Sequence, residues 1–160
     1  MSYDELINLE SVKYNRFSPG IVINEEEIAR VIFSPKHYAN GEILATAFEQ
    51  ILNNHGMSVL RLEYDFDTSL KRTIKLLQKD DINNYIGYVS ANVNDVRTII
   101  YEDYRLFYIL DTATSDRTGH ADIFAIRPHD KINLPKKALK NYIRLKISNV
   151  FNKLKLIENI

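Results

Sequence analysis

The chain has no cysteine and no tryptophan, and only five glycines and four prolines among its 160 residues. Without cysteine there are no disulfides, no thiolate nucleophile and no thiolate metal ligands. The scattered glycines form no phosphate-cradling loop, dinucleotide fingerprint or Gly-x-Ser-x-Gly elbow. Aromatic stacking rests on ten tyrosines and seven phenylalanines. Neither sign of charge dominates: 21 basic residues face 21 acidic ones, so no global field draws the chain to nucleic acid or to a membrane. No apolar run is long enough to span a bilayer. The first residues, Met1-Ser2-Tyr3-Asp4-Glu5, are acidic where a secretory leader would be basic and then apolar. The expectation is a soluble, cytoplasmic protein.

What is present is ordinary for a globular domain. Hydrophobic residues make up 45% and charged residues 26%, enough for one core. No repeat, linker or low-complexity stretch divides the chain, so residues 1–160 read as a single domain. The richness in Tyr, Asn, Ile and Lys has the look of AT-rich bacterial coding.

Periodicity and turn chemistry order the elements. Phe17-Ser18-Pro19-Gly20 is a turn. Asn24-Glu25-Glu26-Glu27 reads as a capped helix start, with Ile28, Val31 and Ile32 as its apolar face and Ser34-Pro35 as its end. Asn40-Gly41 is a second turn. Residues 43–52 repeat at helical spacing, and Asn53-Asn54-His55-Gly56 closes that helix. Residues 57–64 alternate as a strand. Asp67 or Thr68 caps a helix over 69–79, and 84–92 is a strand. Asn94-Asp95-Val96-Arg97 opens a helical turn. Strands over 106–110 and 121–126 flank the polar loop 112–119. The longest helix is predicted over 135–157, with Leu139, Ile143, Ile147, Phe151, Leu154 and Ile157 on one side. The sum is an α+β fold: a mostly antiparallel sheet of four or five strands packed by helices, with a long C-terminal helix.

No motif names a reaction, but three groups of polar residues carry candidate chemistry. His120 and Asp122 share one face of a strand. A carboxylate beside an imidazole orients it as a general base, so these two are the candidate catalytic residues. The alternative is a solvated pair at a sheet edge, or a histidine hydrogen-bonded to a loop. Arg30, on the expected helix, and Arg61 and Ser58, on the following strand, are candidate ligand-binding residues for a carboxylate or phosphate. The alternative for Arg61 is a structural salt bridge with Glu63 or Asp122. Lys137, Lys140 and Arg144 are candidate contacts to nucleic acid or a partner. From residue 130 onward eight basic residues face two acidic ones, a net of +6, whereas the first thirty residues carry −3, six acidic against three basic. The alternative is a solvated amphipathic helix, since the basic residues are spread around it rather than on one stripe. His37, His55 and His129 have no partner at metal-ligand spacing. Asp65 and Asp67 could pair on a cation, although Asp67 is better used as a helix cap. No metal or cofactor is expected.

The same residues carry a resemblance. Arg30-x-Ile32-x-x-Pro35, Gly41, Ala47-Phe48, Ser58-Val59-x-Arg61 and His120-Ala121-x-Ile123 resemble, across residues 28–126, an uncharacterised family of small bacterial proteins that look like parts of conflict or phage-defence gene clusters. Met57 departs from that pattern, in which leucine usually precedes the Ser-Val pair. The resemblance implies no activity.

Three functions stay open. The first is an accessory or binding protein acting with a protein partner, a larger effector, and with an anionic small molecule as a further ligand. The second is a small hydrolase, phosphoester-acting enzyme or nucleotide pocket built on His120, Asp122, Arg30 and Arg61. The third is nucleic-acid binding through the C-terminal helix.

Overall fold

The computed structural model describes residues 3–13, 15–78, 82–127 and 135–157. His129 and the end of the helix expected over 69–79 lie outside the described residues.

The segment expected to open as a helix is instead a central strand, β1 (Glu27–Ser34). Its interior positions from Ile28 to Phe33 are all buried, and a run of β-branched and aromatic residues covered on both faces favours extended backbone. The helix reading failed at Glu26. Its carboxylate does not serve a helix start but accepts from Arg61 Nε at 2.7 Å and Nη2 at 2.9 Å. Two short strands follow, β2 (Tyr38–Ala39) and β3 (Glu42–Ile43), then a 3-10 helix (Ala45–Leu52) where helical spacing was expected. Next come β4 (Met57–Arg61), α2 (Phe66–Leu77), β5 (Asn84–Asn92) and α3 (Val93–Arg97), close to expectation. Asp65, in a left-handed conformation, holds the N-cap position expected of Asp67 or Thr68. A small hairpin, β6 (Ile100–Tyr101) and β7 (Tyr104–Arg105), leads to β8 (Phe107–Asp111) and β9 (His120–Ala125).

The main sheet has six strands, more than the four or five expected. With α1 (Tyr3–Glu10), α4 (Lys136–Val150) and the edge strand β10 (Lys153–Leu156), its order is β10-β5-β1-β4-β9-β8, antiparallel throughout. The C-terminal helix thus stops at Val150 rather than 157. Phe151 packs its ring 5.7 Å from that of Phe48, and the chain turns back to pair with β5. Gly87 makes room for this return, because a Cβ there would stand 2.1 Å from the Lys155 carbonyl oxygen. Leu154 and Ile157, which extended the helical pattern in the sequence, are exposed.

One sheet face carries Ile28, Ile32, Val59, Val89 and Ile123 against the 3-10 helix, α3 and α4. The other face is covered in two patches. The helix α2 sits over Val31, Phe33 and Leu60, and α1 sits over Tyr108, Leu110 and Phe124. Glu10, at the end of α1, takes hydrogen bonds from Arg97, Arg105 and the Ile109 amide. No described helix is long and apolar enough to cross a membrane.

Glu26 and Arg61 are both about 1% exposed. Arg61 also donates to the carbonyls of Gly20 at 2.7 Å and Ile21 at 3.0 Å. Glu26→Ala leaves that buried guanidinium without the carboxylate it donates to, with only Asp111 at 4.0 Å, and is expected to cost about 3–5 kcal/mol in urea unfolding. Glu27→Ala, which removes the solvent-facing partner of Lys153, leaves the unfolding midpoint nearly unchanged.

Candidate functional site

The seam between β1 and β4 is short. The two strands pair only at Ile28 with Arg61 and at Ala29 with Leu60. Beyond that point side chains take over from the backbone ladder. Arg30 Nη1 donates to the Ser58 carbonyl at 2.9 Å and to Gln50 Oε1 at 3.1 Å, and its Nε donates to the Ala47 carbonyl at 3.0 Å. Gln50 Oε1 also accepts from the Ser58 amide at 3.4 Å. Arg30 lies on a strand, not on the helix expected from sequence.

Arg30 is 4% exposed, yet every one of these acceptors is neutral. Among the described residues no carboxylate forms an ion pair with it. Burial pushes its pKa down to about 10, against the opposing pull of Asp122, so it is a cation at neutral pH. A buried cation without an anion is costly.

The seam opens into a cavity of about 320 Å³ whose lining includes Arg30, Phe33, Lys36, His37, Gln50 and Asn83. The Phe33 amide donates to His37 Nδ1 at 3.1 Å. Since an amide only donates, the proton of the neutral ring sits on Nε2. Burial, reinforced by Arg30 and Lys36, pushes the His37 pKa down to about 4. His37 is therefore a neutral hydrogen-bond donor at physiological pH. The cavity combines a buried guanidinium, a surface ammonium and a fixed N–H donor with one carboxylate, the exposed Glu49 that faces Arg144, a balance that favours an anion at the Arg30 end.

His120 and Asp122 are neighbours, as strand alternation implies, with His120 Nδ1 4.0 Å from Asp122 Oδ2. Ser58 stands opposite Asp122 in the β4–β9 register, and its Oγ is in hydrogen-bond contact with His120 Nε2. His120 Nδ1 lies 3.1 Å from the Thr112 carbonyl and 2.8 Å from Thr112 Oγ1. Burial lowers the His120 pKa, opposed by Asp122 and helped by Arg117. Arg30 and His120 thus meet through Ser58, one at its carbonyl and the other at its hydroxyl.

Arg61 does not join them. Its partners are Glu26 and, at 4.0 Å, Asp111, neither Glu63 nor Asp122, and its remaining bonds hold residues 20 and 21. Lys137 and Lys140 are exposed on α4, and Arg144 Nη2 lies 3.9 Å from Glu49 Oε1. Asp65 Oδ2 accepts from Thr118 Oγ1 at 3.0 Å, and among the described residues no cluster of three His, Asp or Glu gathers to hold a metal. Comparison with protein-family models, curated proteins and solved structures gives no match.

Three participants were missed from sequence. Gln50 sits between Glu49 and Ile51 in a segment read only for its apolar period. Thr112 belongs to the polar loop 112–119, in which nothing distinguishes it from its neighbours in the sequence. His37 has no metal-ligand spacing; its position four residues after Phe33, beyond a proline, is the usable signal for a turn that folds the ring back onto the strand.

Both His37 and His120 titrate lower in the fold than a free imidazole. As pH falls, the unfolded chain takes up these protons first, so stability is lost as pH drops from about 6.5 toward 4. Thermal unfolding followed by circular dichroism at pH 8, 6.5 and 5 is expected to show little change over the first step and a drop over the second. His37→Gln, which keeps an acceptor for the Phe33 amide, reduces that drop.

Proposed function

We propose that this chain is a binding protein for a small anion, a carboxylate or a phosphate, received in the cavity beside Arg30. The observation that carries the reading is a buried guanidinium whose hydrogen-bond acceptors are all neutral, lining a cavity beside Lys36 and the His37 donor. The volume of about 320 Å³ is near the small end of ligand sites. It suits a monophosphate or a short dicarboxylate better than a dinucleotide. An accessory role beside a larger effector, in a bacterial defence or toxin system, is supported only by the resemblance across residues 28–126. Nucleic-acid binding through Lys137, Lys140 and Arg144 has less support, because Arg144 turns toward Glu49. The contact between Ser58 and His120 favours a second reading, catalysis.

Titration calorimetry with inorganic phosphate, succinate and a nucleoside monophosphate tests the anion site. At least one is expected to bind saturably. Arg30→Gln weakens that binding by about 10- to 100-fold, the worth of a charge-assisted hydrogen bond. Lys137→Ala and Lys140→Ala leave it unchanged. Equal loss in the Arg30 and α4 variants, or no saturable heat with any of the three anions, contradicts the reading.

A further inference from the structure

We propose that Ser58 is a nucleophilic serine, activated by His120 to accept an acyl group from a small ester. The inference rests on the geometry around the imidazole. The Thr112 carbonyl lies 3.1 Å from His120 Nδ1, and a carbonyl can only accept. The proton of the neutral ring is therefore on Nδ1, and the lone pair of Nε2 points to the Ser58 hydroxyl, with which it is in contact. This is the tautomer a general base needs, and it is the opposite of the one fixed in His37. Nucleophile, base and orienting group stand in hydrogen-bond sequence, the arrangement that activates serine on unrelated folds. Here the orienting group is the Thr112 carbonyl with its hydroxyl, and Asp122 stands behind at 4.0 Å, where its charge favours an imidazolium once one forms.

Placement supports access. Ser58 and Asp122 are half-buried, on the strip of sheet face between the patch under α2 and the patch under α1. A polar chain on an otherwise apolar sheet face is costly unless every member is paired, and each pairing here also primes the serine. Arg30, donating to the Ser58 carbonyl, fixes the backbone from which the hydroxyl projects and acts as a positioning residue.

In the reaction, Ser58 Oγ bonds to the acyl carbon while its proton passes to His120 Nε2. The bond from that carbon to the leaving oxygen then breaks, and the leaving alkoxide takes the proton from Nε2. Water repeats the sequence on the acyl-serine, releasing the acid and restoring the hydroxyl. Neither Ser58 nor His120 lines the anion cavity, and Arg30 is common to the two sites.

A fluorophosphonate probe incubated with the full chain, followed by intact-mass analysis and peptide mapping, tests it. One adduct is expected, on Ser58, and absent from Ser58→Ala. His120→Gln slows labelling by about 10²- to 10⁴-fold, the usual worth of a general base. Glu27→Ala, outside both sites and paired with the surface Lys153, is labelled at the wild-type rate. The wild-type pH profile guards against a misfolded His120 variant: the labelling rate falls on acidification as the imidazole is protonated. An unlabelled Ser58 in the folded wild type, or a labelling rate that does not change with pH, overturns the proposal.

Discussion

The buried ion pair between Glu26 and Arg61 is the constraint on which the rest of the molecule depends. Two fully desolvated charges are tolerated only with their lone pairs and protons matched. Here Arg61 donates to both carboxylate oxygens and to the carbonyls of Gly20 and Ile21, and Glu26 also accepts from the Ile23 amide. The pair fastens residues 20–26 across the end of β4 and fixes where β1 begins. It stands at the end of the seam where β1 and β4 are paired. At the other end the strands part, and Arg30 enters the gap.

These two arginines show how context decides the role of one residue type. Arg61 has the carboxylate of Glu26, that of Asp111 at 4.0 Å, two carbonyls and the ring of Tyr64 at 4.5 Å, so its charge is matched within the chain. Arg30 has three neutral acceptors, so its charge is matched by nothing that forms an ion pair with it among the described residues. The first arrangement stabilises a fold, and the second favours binding of an anion. Ser58 lies where the two sides of the seam meet. Its backbone is held by Arg30 and Gln50, and its side chain is held by His120.

The sequence made the later part of the sheet legible. Strands β4, β5, β8 and β9 follow from alternation and flanking turns, and α3 from the turn chemistry of residues 94–97, although its cap is Asn92, whose side chain accepts from the Asn94 amide. It misled where two principles competed. Asn24 to Glu27 has the chemistry of a helix start, but Ile28 to Phe33 are buried on both faces, and tertiary pairing outweighed the local signal. Leu154 and Ile157 continue a helical period by coincidence, in a segment that Gly87 lets pair with β5. The adjacency of His120 and Asp122 could be read from a period of two. The meeting of Arg30 and His120 at Ser58 could not, because it depends on where one strand pairing stops. Glu26 was hidden for the same reason: its partner is 35 residues away.

The central claim is that the charge of Arg30 is left for an external anion, whereas that of Arg61 is already matched. Nuclear magnetic resonance of the protein labelled with ¹⁵N at arginine, titrated with inorganic phosphate, reads both guanidinium groups in one sample. The account predicts a saturable shift of the Arg30 signals with those of Arg61 unmoved. Arg30 signals that stay fixed, or that drift together with Arg61 without saturating, would contradict it.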